Sequence, residues 1–457
     1  MRRTIIRNAT VISMDGQTGD YPAADILIDG SSIAAIGPGL GEIDAESIDA
    51  TGMIAIPGFI DTHRHTWQSL LRNTAADWSL AQYFAGVRGV MGRLYTADDM
   101  YIANYMGALE ALDSGITTLY DWSHNNNTPE HADAAVQGLR DAGLRAVFGY
   151  GNANDEWFPV SHLPTNLADM ARVRRQHFNG EDGLLTMAFA ARGPQFTTLD
   201  LTEAEFLAAR ALGLRITVHV GDGLWGLSNP IGQLHARGLL RGDTTYVHCC
   251  TLAEHEFQLI ADTGGTASLA AEVEMNMGHG HPATLAFLRH GCRPSLSIDV
   301  CCSAGGDMFG QMRILLAATR GGAHGEDLRA GRTAAAQVIS ARDVLEFATL
   351  QGARACGLER RTGSLAAGKQ ADIVLLDARM LNLFPVNNPV GAVVNDAHPG
   401  NIDSVFVAGR AVKRHGRLLH ADVAALRTRM EAATGALFAR AGVPRDGSWL
   451  PVPYAGG

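Results

Sequence analysis

Eight short apolar runs, several ending in a histidine or an acid, constrain the fold of this chain more than any other feature. They are Ile54–His65, Thr117–Ser123, Leu144–Gly151, Leu184–Arg192, Arg215–Gly221, Thr244–Cys250, Thr266–Ala271 and Arg293–Val300. Near-continuous apolar runs are the pattern of strands buried on both faces. Amphipathic stretches lie between them. Thr202-x-x-Glu205 before Phe206 and Thr251-x-x-Glu254 before Phe257 fit capping boxes, in which both side chains satisfy free backbone N–H groups at a helix start. Eight strand–helix units predict an α/β fold, a (β/α)8 TIM barrel, and 457 residues are enough to give it a large core.

The two ends have a different texture. Thr4–Ile6, Ala24–Asp29, Ile33–Gly37 and Met53–Pro57 read as short strands separated by turn signals, and Asp372–Asp377, Val405–Val407 and Gly409–Val412 repeat that pattern near the C-terminus. This predicts one small β-sandwich built from both termini. The expected division is residues 1–58 and 362–420 for the sandwich, 59–361 for the barrel and 421–457 for a C-terminal helix and tail.

Charge and composition narrow the partners. With 37 basic against 47 acidic residues the formal net charge is −10, which disfavours nucleic acid or an anionic membrane. No apolar run is long enough to span a bilayer, and the N-terminus shows no apolar segment followed by a cleavage site, so a cytoplasmic protein is expected. Six cysteines without a CxxC pair predict buried free thiols rather than a disulfide framework. Glycine pairs such as Gly305-Gly306 lack the context of a dinucleotide-binding turn.

The chemistry lies at the ends of the runs. In a (β/α)8 barrel catalytic side chains project from the C-terminal ends of the strands. His63-Arg64-His65 closes the first run, and alternation along a strand puts both imidazoles on one face, where they can chelate one cation. His219, His248 and Asp299 end three later runs. Each alone reads equally as a hydrogen-bonded core residue, but together they converge on the barrel axis. A carboxylate among imidazoles suits a catalytic zinc, with iron second. A second pair, His279-Gly280-His281, lies in a glycine-flanked loop and is expected to bind no metal.

Pro57-Gly58-Phe59-Ile60-Asp61-Thr62-His63-x-His65, the fifth-strand His219, the sixth-strand His248-Cys249 and the eighth-strand Asp299 resemble the amidohydrolase superfamily. So does Gly363-Ser-Leu-x-x-Gly368-Lys369-x-Ala371-Asp372 in the second sandwich segment. His65-Thr-Trp-Gln68-Ser-Leu-Leu-Arg72 and Gly306-Asp-Met-Phe-x-Gln-Met-Arg313 resemble its branch of triazine hydrolases and of guanine and 8-oxoguanine deaminases. The resemblance implies that His63, His65, His219 and Asp299 hold one divalent metal, and that His248 stands beside the nucleophilic water. It implies that Asp299 is also the general base. Binuclear members bridge two ions with a fourth-strand lysine; the only lysines here are Lys369 and Lys413, so a mononuclear site is expected.

The branch's deaminases carry His-x-x-Glu on strand five, where this chain has His219-Val-Gly-Asp222. Asp222 is therefore expected to shuttle a proton with a carboxylate one methylene shorter. The expected substrate contacts are Gln68, Trp67 (with Trp78), His124, Glu274 and Asn276, the alternate acids Glu272 and Glu274 suiting an amine-rich substrate. The implied reaction is hydrolysis of a carbon–nitrogen bond in a small planar N-heterocycle, deamination first. Displacement of chloride, alkylamine or thioether, cyclic-amide opening, or a non-catalytic scaffold are the alternatives. A homodimer is expected by resemblance alone.

Overall fold

The first apolar run is two strands, and the break between them separates two sheets. In the computed structural model, which describes residues 3–154, 161–180, 183–445 and 448–452, Met53–Pro57 pairs antiparallel with Ile373–Asp377. Phe59–Arg64 then starts a parallel sheet against Ile116–Ser123. Gly58 sits at the break because nothing larger fits: a Cβ there would lie 2.1 Å from Thr117 Oγ1. Apolarity continues across Gly58, so periodicity alone does not reveal the change of sheet.

The parallel sheet has eight strands in sequential order: Phe59–Arg64, Ile116–Ser123, Arg145–Tyr150, Leu185–Ala191, Arg215–Val220, Thr244–His248, Thr266–Leu269 and Ser295–Leu296. We number them barrel strands one to eight. The first and last meet through two backbone bonds, Asp299 N–H to His63 O at 2.9 Å and His65 N–H to Asp299 O at 2.8 Å. These bonds close the TIM barrel, and they join the very residues expected to carry the chemistry. Inside the barrel, Ile60, Tyr120, Val147 and Ala188 pack with Ala353, Cys356 and Leu358, and Trp122, Ala190 and Val247 form a second apolar cluster. These clusters lie beneath the C-terminal rim, where the expected site residues stand.

The sandwich sheet draws Thr4–Val11, Tyr21–Asp29, Ser32–Gly37, Glu46–Asp49 and Met53–Pro57 from the N-terminus. Ile373–Asp377, Ile402–Val407, Arg410–Arg414 and Arg417–Leu418 join it from the C-terminal segment. A buried bidentate pair pins it to the barrel: Arg145 Nε and Nη2 donate to the two Asp372 oxygens at 2.9 and 3.1 Å. A helix at Val423–Ala441 follows and packs on Ala97–Asp113.

Both expected capping boxes are displaced. The helix of the first begins earlier, at Leu199–Ala211, capped by Thr198. Glu205 points instead to the Thr165 N–H at 2.7 Å. In the second, Ala253 is the cap of Glu254–Asp262 and Glu256 accepts its N–H, while Thr251 donates to Gly223 O. All six cysteines are free; four are buried, and Cys250 and Cys292 are partly exposed. Among the described residues no helix is long and apolar enough to cross a membrane.

Candidate active site

The site grows from barrel strand one. Its pairing with strand two shifts register between Asp61 and Arg64. Beyond the shift His63 and His65 stand edge to face, ring centres 4.7 Å apart, while the Arg64 guanidinium runs to Glu110 on the helix outside. Strand five brings His219 Nε2 to 3.3 Å from His63 Nε2. The turn after strand eight sets Asp299 Oδ1 3.2 Å from His63 Nε2 and 3.3 Å from His65 Nε2. Of the expected quartet, His63, His65 and Asp299 form one group of possible ligand atoms, and His219 joins them through His63 in a second group with His248.

This arrangement holds strained backbone in place. Asp299, His248 and Cys249 have φ of 65°, 70° and 60°, a left-handed region that side chains disfavour. Such conformations cost about 1–3 kcal/mol each and persist where the surroundings overdetermine them. At Asp299 the two barrel-closing bonds do so.

The electrostatics suit a cation. Burial drives His65 and His219 well below the usual imidazole range, and lowers His63 against the opposing pull of Asp299. Neutral imidazoles are the ligating form. Burial would raise Asp299, but His63, His248 and His65 hold it below the usual carboxylate range. The Trp122 carbonyl accepts from His65 Nδ1 at 3.2 Å, which leaves the His65 Nε2 lone pair facing a carboxylate oxygen. Lone pair facing lone pair is repulsive unless a cation lies between them, so these residues fit a divalent metal.

A second cluster adjoins the first. His248 Nε2 is 3.7 Å from both Asp299 Oδ2 and Asp222 Oδ1. Behind it Glu274 accepts from Nδ1 at 3.2 Å. Burial would lower His248, but Asp222, Glu274 and Asp299 lift it to about 9, making it a cationic donor. Asp222 takes Gln195 Nε2 at 2.5 Å and His279 Nδ1 at 3.3 Å. It does not cap the short helix Gly223–Ser228 that follows it.

These groups open into a cavity walled by Phe84, Trp122, Phe196 and Tyr83, with Arg88, Asn152 and Arg192 among its polar lining. Of the expected substrate contacts only His124 lines it, stacked 4.0 Å from His65. Gln68 does not: Thr66–Leu71 coils into a 3₁₀ helix and turns the Gln68 amide to Tyr83 OH at 2.7 Å. Trp67 is buried behind the cavity and donates its indole N–H to His124 at 3.0 Å. Trp78 packs edge-on against Trp449.

Glu274 and Asn276 are corrected as well. Residues Ala271–Met277 form a helix, which turns Glu274 inward against His248 and leaves Asn276 exposed. Sequence reasoning missed Gln195 and His279. Gln195 follows strand four by a few residues. His279 belonged to the histidine pair set aside as loop, and its loop folds back over the cavity.

The chain has known relatives across nearly its full length. It is 28% identical over 437 residues to a 5-methylthioadenosine/S-adenosylhomocysteine deaminase of Symbiobacterium thermophilum, covering 90% of this chain and 94% of that one. The fold matches a triazine hydrolase of Arthrobacter aurescens at a TM-score of 0.84 with 24% identity, over 95% of this chain and 100% of the other. It matches a zinc-bound adenosine deaminase of Xanthomonas campestris at 0.83 with 21% identity, over 95% and 98%. The sequence profile of the Amidohydrolase family matches residues 54–412, and the chain belongs to that family.

Proposed function

We propose that this protein is an aminohydrolase that removes an exocyclic amine from a small planar N-heterocycle, an adenine nucleoside being the foremost class, and releases ammonia. The observation that carries the reading is the His–Asp cluster of opposed lone pairs with Asp222 and His248 beside it. His63, His65, His219 and Asp299 would hold one divalent cation, zinc before iron. When bound, that ion supplies the Lewis acidity that makes water a nucleophile near neutral pH.

The protein's own groups then divide the proton work. Asp299, held ionised, accepts a proton from water as it attacks the ring carbon. His248, clamped by Glu274, offers its Nε2 proton to charge developing at that carbon. Asp222 carries a proton to the ring nitrogen and on to the departing amine. Phe84, Trp122 and Phe196 give a flat heterocycle apolar walls. The name of the Symbiobacterium relative supports an adenine nucleoside. We take the working form to be a homodimer in the cytoplasm, which sedimentation analysis and fractionation check.

The test is ammonia release from adenosine, 5-methylthioadenosine, aminated pyrimidines and aminotriazines by zinc-loaded protein, with chloride release from chlorinated counterparts in parallel. Ammonia from at least one amine, abolished in Asp299→Ala, is expected. Zinc-loaded protein that releases only chloride, or nothing, contradicts the reading.

A further inference from the structure

His279 stands apart from the metal quartet, yet it lines the cavity and is itself nearly buried. A chain of fixed hydrogen bonds determines which of its nitrogens carries the proton. The Gly221 backbone N–H can only donate, and it donates to Gln195 Oε1 at 2.9 Å. That orients the amide, so the Gln195 NH2 faces Asp222 Oδ2 at 2.5 Å. The other oxygen, Asp222 Oδ1, faces His279 Nδ1 at 3.3 Å and the His248 Nε2 proton at 3.7 Å. Surrounded by donors in the resting site, both oxygens of the Asp222 carboxylate accept, and His279 carries its hydrogen on Nδ1.

His279 Nε2 is then an acceptor, and among the described residues it is buried without a hydrogen-bond partner. The backbone that carries the ring is held on both sides. Its own N–H is tied to Glu274 O at 2.9 Å and its carbonyl to the Gly223 N–H at 2.8 Å. Gly280 follows at φ 143°, where a Cβ would lie 2.7 Å from Cys250 Cβ. An unpaired buried acceptor costs about 1–3 kcal/mol, a penalty that a ligand with a donor in the right place removes.

We propose that His279 reads a hydrogen-bond donor on the substrate, accepting an N–H from the amine at the reacting carbon into its unpartnered Nε2. Resting on the aminohydrolase reading, this deepens it: the site selects an amine-bearing ring over the same ring carrying a leaving group without N–H. The shorter Asp222 fits the same picture, because His279 occupies space beside it that a longer carboxylate would contest.

Two variants separate the two nitrogens. In His279→Asn the amide can keep the bond to Asp222 but loses the Nε2 acceptor. In His279→Gln the amide oxygen reaches toward the Nε2 position. The readout is the ratio of kcat/KM for adenosine over 6-chloropurine riboside, with zinc content measured alongside. His279→Asn is expected to cut that ratio about tenfold, the worth of one hydrogen bond, and His279→Gln to retain most of it. An unchanged ratio in His279→Asn overturns the proposal. So does a second zinc per chain that His279→Asn removes, since His279 would then be a ligand.

Histidine-selective 15N spectra of zinc-loaded protein test the premise without turnover. The His279 resonance, identified by its loss in His279→Asn, is expected to show a protonated Nδ1 and a bare Nε2. Protonation at Nε2 overturns the inference. Failure to turn over these nucleosides and every other amine tried contradicts the proposed function, and the 15N result still decides the premise for His279 separately.

Discussion

Glu110→Gln should destabilise this protein out of proportion to its distance from the cavity. The Arg64 side chain is fully buried, and its Nη2 donates to Glu110 Oε2 at 2.5 Å. Among the described residues its Nε and Nη1 have no hydrogen-bond partner, and Asp61 is the next carboxylate, at 3.8 Å. Removing the Glu110 charge strands a buried cation, which costs about 3–5 kcal/mol in a dry interior. The Glu110 side chain is 21% exposed, so solvent screening brings the figure to about 2–3 kcal/mol. At the usual entropy of unfolding per residue, a chain of 457 residues loses about 1 °C of Tm per kcal/mol, giving a drop of about 2–3 °C by calorimetry. Arg72→Gln removes the half-exposed partner and leaves Arg64 paired, so its drop should be under about 1 °C.

The pH dependence has a definite sign. Burial would raise Glu110, but Arg64 and Arg72 hold it below its ordinary 4.5. Its contribution is therefore complete above pH 4.5 and fades as pH falls through the lower folded value. The gap between wild type and Glu110→Gln should close in acid. A Glu110→Gln protein no less stable than Arg72→Gln at neutral pH would refute the reasoning.

Other expectations follow from single contacts. Gly58→Ala pushes a Cβ into Thr117 and should cost about 1–3 kcal/mol, with Thr117→Gly restoring most of it in thermal melts. Asp222→Asn should lower kcat by about 10²–10⁴-fold while zinc content stays at the wild-type level; lost zinc would make Asp222 a ligand. In metal-free protein His248 should titrate near pH 9 by NMR, and Glu274→Gln should bring it down by removing one of the acids that lift it. Its share of metal-free stability is full below pH 6.5 and lost as pH rises through about 9.

What the sequence reveals of this molecule depends on where chemistry meets periodicity. His63, His65, His219 and Asp299 were legible because each breaks an apolar strand at its end, and strand ends in a barrel share one rim. Gln68, Glu274 and Asn276 lie just past strand ends in segments that coil into helices, and the coil leaves them outside the cavity lining. Gln195 and His279 lie in loops, where no period indicates direction, and only the folded geometry brings them to Asp222. The sandwich was visible from strand texture at both ends, whereas the change of sheet at Gly58 depends on the closeness of Thr117, a contact between residues far apart in the chain.

The most direct test of the account is metal content by mass spectrometry of the protein as purified and after reloading, compared with His63→Ala, His219→Ala and Asp299→Ala. The account predicts one divalent cation per chain in wild type and its loss in each variant, with the fold retained by circular dichroism. A wild type that stays empty in excess zinc and iron, or variants that keep a full equivalent, would contradict it.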